Sequence, residues 1–169
     1  QLGSDLPFFF SPSPLALAWG RGDRLLPLPT LPVAWVLLAL PPLAVPTPRA
    51  FGLLAHDRGD SPPTRPPRFF SDDAFSSWEA VAQIARNDFE EVIYREYPIL
   101  DQIREAISES GCRLARMSGS GPTLFGVYAD EKSAAHARSS LEALFPDTRF
   151  LLSRTASRGP GALMGVGVE

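Results

Sequence analysis

The stretch CRLARMSGSGPTLFGVYA, Cys112–Ala129, sets the frame for the rest of the chain. Two strand-like runs, CRLARM and TLFGVYA, flank the short segment SGSGP. Ser, Gly and Pro belong in a tight turn: Gly reaches positive φ, Ser bonds to nearby backbone, and Pro presets its own φ. The pattern predicts strand, turn, strand. Asp130 then stands where a helix N-cap belongs, with Ala134, Ala137, Leu141 and Leu144 at helical spacing on a face expected to be buried. TRFLLSRT, Thr148–Thr155, reads as a closing strand. Upstream, Pro98 suits the first turn of a helix along which Ile99, Leu100, Ile103, Ala106 and Ile107 recur, and Gly111 stops it.

The apolar run from Leu31 to Val45 supplies the remaining strand, VAWVLLAL (Val33–Leu40). It is too short for a membrane span of about 20 residues, and prolines interrupt it. It is internal and lacks the basic flank and cleavage pattern of a signal peptide. The order is then strand, helix, strand, strand, helix, strand. This predicts an α+β protein with a ferredoxin-like βαββαβ unit. Two further helices are expected between the first strand and Pro98, as an insertion. One is capped by Ser71, carries Asp72 and Asp73 in its first turn, and continues through FSSWEAVAQIA. The other is DFEEVIYREY, with Phe89, Val92, Ile93 and Tyr97 on one side. Of 18 prolines, 14 lie at or before Pro67, so that half reads as short strands joined by rigid turns. SPPTRPPR, Ser61–Arg68, reads as an exposed loop. Residues 1–30 fall outside the βαββαβ unit and look like strands from the end of another sheet. The expected division is therefore 1–30 and 31–169.

A chain of 169 residues can bury a substantial core. A net charge of −3 argues against a nucleic-acid binder, which would be strongly basic. The single cysteine, Cys112, forms no internal disulfide and fits a reducing, cytoplasmic compartment. His56, expected on a loop, and His136, on the polar side of a helix, have no neighbours at metal-ligand spacing, so no metal site is expected.

Several residues invite a chemical reading. Ser118, Gly119, Ser120, Gly121 and Thr123 could let backbone N–H groups converge on an anion. The segment is no Walker A loop, since a strand rather than a helix follows and no Gly-Lys-[Ser/Thr] ends it. An ordinary hairpin turn explains the same residues. Asp5, in QLGSDLPFFF, places a carboxylate before the apolar flank Leu6, Phe8, Phe9 and Phe10. It could act on a proton in a water-poor site or simply cap a turn. Phe51 could be core or could stack on a flat ring. Gly20 and Gly22, in WGRGD, fit a hairpin turn.

Four segments in order resemble the GHMP kinases, a superfamily named for galactose, homoserine, mevalonate and phosphomevalonate substrates. ARMSGSGPTLFGVY resembles the superfamily's third motif. LGSDLPFF looks like its LGADVPFF segment, VPTPRAF like a substrate-side segment, and RNDFEEVIYREYPIL like an NDFE…YP helical stretch. The likeness is greatest to the branch that makes isoprenoid precursors from a cytidine-diphosphate-linked methylerythritol. It implies a ferredoxin-like second domain, preceded by remnant strands of the amino-terminal kinase domain. It also implies ATP-dependent phosphorylation of a substrate hydroxyl, with Mg²⁺ as cofactor and with neither nucleic acid nor membrane as partner.

On this resemblance Asp5 matches the catalytic aspartate. Thr47, Pro48 and Phe51 match the wall of the diphosphocytidyl pocket. Gly20 and Gly22 match a GxGE turn beside the substrate, with Asp23 in place of Glu. Ser118, Gly119, Ser120, Gly121 and Thr123 match the loop that shapes the phosphate end. Asn87 and Glu90 match a stretch for which a structural role is expected. LPP at Leu40–Pro42 departs from the usual NPG or HPG. Neither a GLGGGSS-type loop nor the early lysine occurs, and Lys132, the one lysine, matches no such position. The chain is thus expected to correspond to the carboxy-terminal part of such a kinase and to be inactive alone. The alternative from another class is a non-enzymatic ferredoxin-like module that binds a small ligand or dimerises.

Overall fold

The computed structural model describes residues 6–20, 22–59, 71 and 73–159. The elements run α1 (Leu6–Phe9), β1 (Ala16–Trp19), β2 (Arg24–Pro27), β3 (Trp35–Leu40), α2 (Thr47–Arg58), α3 (Trp78–Ile84), α4 (Glu90–Glu96), α5 (Pro98–Glu109), β4 (Leu114–Met117), β5 (Leu124–Tyr128), α6 (Glu131–Leu144) and β6 (Arg149–Arg154). β1 and β2 form a separate antiparallel hairpin. The other four strands form one sheet in the order β4-β5-β3-β6, antiparallel throughout. With α5 and α6 as the crossing helices, this is the expected ferredoxin-like arrangement.

Alternation along the strands explains why both faces of the sheet are covered. Leu37, Ala39, Ala115, Met117, Leu124, Tyr128 and Phe150 share the main core with Leu100, Ile103 and Ile107 of α5 and Ala134, Ala137 and Leu141 of α6. Val92 and Ile93 of α4 and Ala50 of α2 complete it. The opposite face carries a smaller cluster of Ala34, Leu114 and Val127, with Trp78, Val81 and Ala82 of α3 packed against it. The Trp78 indole N–H donates to the Pro32 carbonyl at 2.7 Å, fixing α3 to the segment entering β3. Gly126 faces the main core directly under α5. A Cβ there would lie 2.6 Å from Ile107 Cγ2 and 3.0 Å from the Tyr128 ring. Only a glycine lets the helix sit this close to a central strand. Burial pushes the Tyr128 phenol up to about 12, and its hydroxyl pairs with Ser110 Oγ at 2.6 Å.

The structure corrects several expectations. The proline-rich half contains a 12-residue helix, α2, where strands and turns were expected. Its prolines sit before or within its first turn, where a missing N–H costs no hydrogen bond. Among the described residues three helices, not two, therefore lie between β3 and α5, and His56 lies on a helix rather than a loop. The helix expected to start at Ser71 starts at Trp78. Ser77 caps it by accepting from Ala80 N–H at 3.1 Å, while residues 73–77 form turns. The strand in Leu31–Val45 is confined to Trp35–Leu40. Leu144 is 66% exposed and Ile99 40% exposed, although both lie at core spacing. Phe9 and Phe10 are half exposed. Asp5 itself and SPPTRPPR lie outside the described residues.

Two outcomes follow from this packing. Gly126→Ala should destabilise the chain by about 1–3 kcal/mol through overpacking against Ile107, measured as a shift in the urea midpoint at unchanged slope. The second concerns Asp130, whose carboxyl is held below its ordinary value because it accepts from the Ser133 backbone N–H and hydroxyl. A lowered folded-state pKa gives stability that is present at neutral pH and lost as pH falls through that value. Asp130→Asn retains an N-cap acceptor and should flatten this acid dependence in thermal melts between pH 7 and pH 3.

Candidate functional site

The glycine-rich turn joins β4 to β5 at the end of the sheet where β3 leaves for α2. Ser118 N–H donates to the Thr123 carbonyl at 2.8 Å, and Gly121 N–H to the Ser118 carbonyl at 3.0 Å. Gly119 and Gly121 have φ of 55° and 84°, so L side chains would strain both positions. At Gly121 a Cβ would also fall 2.7 Å from Met117 Sδ. The Gly121–Pro122 peptide bond is cis. Ser118 and Gly119 are exposed, so the turn presents its backbone to solvent.

The turn is anchored from beneath by residues just before and within α4. Asn87 Nδ2 donates to the carbonyls of Met117 and Gly119, at 2.9 and 2.7 Å. Its Oδ1 accepts from Phe89 N–H at 3.0 Å. Glu90 Oε1 accepts from Met117 N–H at 2.8 Å. Behind Glu90, the Tyr94 hydroxyl is buried. Burial first, and the Glu90 charge second, raise its pKa well above the ordinary phenol value. The structural role expected for Asn87 and Glu90 is thus bracing of the turn. Nothing local in the sequence pointed to their partners, which lie 27 to 32 residues further along.

Helix α2 brings Thr47, Pro48 and Phe51 to the same end of the sheet. Thr47 Oγ1 and Ser120 Oγ are 3.3 Å apart, a direct link between the VPTPRAF segment and the turn. Thr47, Pro48 and Phe51 are all exposed on the first turns of α2. Phe51 is 58% exposed, which removes the core reading of this ring. It meets Phe89 edge to face, with centroids 5.0 Å apart and planes at 87°. Arg49, beside Thr47, pairs with Glu96, which raises its pKa. The site therefore offers an exposed aromatic ring, hydroxyls and a backbone-rich turn within one helical turn of each other.

Gly20 and Gly22 take part in a different feature. They close the β1–β2 hairpin with φ of 69° and 91°, and Gly22 N–H donates to the Trp19 carbonyl at 3.1 Å. On the far face of the sheet, a cavity of about 430 Å³ is lined by Val36, Trp78, Asn87, Arg116, Met117 and Phe125, among others. Its lining is mainly carbon, with Arg86 and Arg116 as its charged groups. Among the described residues no group of three or more His, Cys, Asp or Glu could hold a metal ion. No helix among them is long and apolar enough to cross a membrane.

The chain is similar to known proteins in sequence and fold. Residues 73–147 match the family model for the GHMP kinases C terminal. A curated relative from Geobacter sp. (strain M21), 4-diphosphocytidyl-2-C-methyl-D-erythritol kinase, is 37% identical over 142 residues, covering 84% of this chain and 48% of the relative. The protein of the same name from Rhizobium meliloti is 36% identical over 160 residues, covering 94% of this chain and 51% of that one. A solved structure of 4-(cytidine 5'-diphospho)-2C-methyl-D-erythritol kinase superposes with a TM-score of 0.60 at 29% identity, over 85% of this chain and 49% of the other. The homoserine kinase of Cytophaga hutchinsonii, 16% identical with a TM-score of 0.54, shares the fold. The chain spans about half the length of the curated relatives it matches. Residues 73–147 are thus similar to the C-terminal domain of the GHMP kinases, and the likeness to a curated kinase extends over more than four fifths of the chain.

Proposed function

We propose that the chain supplies the substrate side of a small-molecule kinase that phosphorylates a hydroxyl of 4-diphosphocytidyl-2-C-methyl-D-erythritol, an isoprenoid precursor, in the cytoplasm. The observation that carries this reading is the meeting of Thr47 with Ser120, which sets the exposed Phe51 beside the glycine-rich turn. Phe51 would stack on the cytosine face, with Thr47 and Pro48 completing that wall. The turn from Ser118 to Gly121, with Thr123, would shape the phosphate end, its form held by the internal bonds of the Ser118 and Gly121 N–H groups. Gly20 and Gly22 would flank the substrate from the β1–β2 hairpin. In this reading residues 1–30 belong with an amino-terminal kinase domain and residues 31–169 form the ferredoxin-like domain.

Asp5 would accept, or orient, the proton of the attacking hydroxyl. ATP would supply the phosphoryl group, and Mg²⁺ would neutralise charge on its phosphates. The described residues hold no carboxylate cluster that fits Mg²⁺, so the metal is not assigned to them.

Two measurements test the reading. Calorimetric titration of the 169-residue chain with cytidine 5′-diphosphate should show binding, and Phe51→Ala should weaken it by about 1–3 kcal/mol, the range of base–aromatic stacking. Absence of binding would favour a non-enzymatic module. When the chain is joined to the amino-terminal half of the Geobacter relative, phosphoryl transfer from ATP should appear. In that fusion Asp5→Asn should lower kcat by roughly 10²–10⁴-fold with little change in KM.

A further inference from the structure

Beyond the pocket residues, the contacts around the glycine-rich turn form a closed ring. From the Gly119 carbonyl it passes to the Asn87 amide at 2.7 Å, and from Asn87 Oδ1 to Phe89 N–H at 3.0 Å. The Phe89 ring meets Phe51 edge to face at 5.0 Å. Phe51 lies four residues after Thr47 on α2, so both project from one side of that helix. Thr47 Oγ1 then returns to Ser120 Oγ at 3.3 Å, next to the starting point. Each step is a direct contact or one turn of helix.

We infer that Asn87 is a positioning residue that fixes the separation between the glycine-rich turn and the Phe51 wall. The inference rests on the site proposed above and adds a specificity determinant to it. The chemistry requires an amide at this position. Both of its N–H groups are committed to main-chain carbonyls of the turn, and its oxygen to the main chain that carries Phe89. A carboxylate of the same shape would keep the bond to Phe89 N–H but would set negative oxygen against the carbonyls of Met117 and Gly119. A ligand that reaches both ends, a nucleoside diphosphate, gains from the fixed distance. A nucleoside without phosphates touches only the wall and does not.

The test compares cytidine 5′-diphosphate with cytidine by calorimetry on the wild-type chain and on Asn87→Ala, Asn87→Asp and Ser120→Ala. Asn87→Ala should weaken the diphosphate by about tenfold relative to cytidine, the size of coupling seen between residues in contact. Asn87→Asp should weaken it at least as much. Ser120→Ala opens the ring at its far side, at a surface position that does not threaten folding, and should shift the same ratio in the same direction. A residue with a merely structural role would lower the melting temperature and weaken both ligands by equal factors. An unchanged ratio in the Asn87 and Ser120 variants, with wild-type binding intact, overturns the inference alone. If the wild-type chain binds neither ligand, the site reading and the inference fall together.

Discussion

Met117 is the residue on which the arrangement depends, because it is held from every direction. Its N–H is taken by Glu90 and its carbonyl by Asn87, and its side chain is 2% exposed. The side chain also fills the space that a Cβ at Gly121 would need. A strand end fixed in this way lets the following turn stay exposed yet keep one shape. Without such an anchor, a Ser-Gly segment at the rim of a sheet would not keep a single shape.

The helices inserted between β3 and α5 provide that anchor. α4 presents Glu90 beneath the turn, and the residues preceding it present Asn87 and Phe89. α2 packs on α4 and brings Thr47 and Phe51 to the rim. Surface ion pairs between them, Arg49–Glu96 and Arg95–Asp57, are individually worth little in solvent. The buried side chains Ala50, Val92 and Ile93 give the pairing its stability. The insertion therefore joins the core of the ferredoxin-like unit to the glycine-rich turn.

The four-stranded sheet, α5 and α6 were legible because each is a local pattern with a cap or stop: Pro98, Gly111, Asp130 and the SGSGP turn. Helix α2 was hidden by Pro46 and Pro48, which look like breakers, and by apolar residues that form no single stripe. The α3 start was misplaced because Ser71 and Ser77 are both plausible caps, and only Ser77 adjoins Trp78, whose indole is tied to Pro32. Leu144 fits the spacing of the buried stripe, but it is the last residue of α6, where the chain turns away from the core. The candidate pocket residues were suggested by resemblance, not by pattern. That Thr47 touches Ser120, or that Asn87 binds two carbonyls of the turn, depends on tertiary folding and has no local signature.

The central strand has a further consequence for how the molecule is made. Trp35 in β3 pairs with Tyr128 and with Arg154, partners that follow it by roughly 90 and 120 residues. During synthesis this most apolar strand emerges long before either neighbour exists. It must remain unpaired while α2, α3, α4 and α5 are added, and closing such distant contacts carries a large entropic cost that slows folding. An interval with WVLLAL unprotected is an opportunity for association between nascent chains. The helices that hold the site in the finished molecule thus lengthen the period in which a chaperone would be useful.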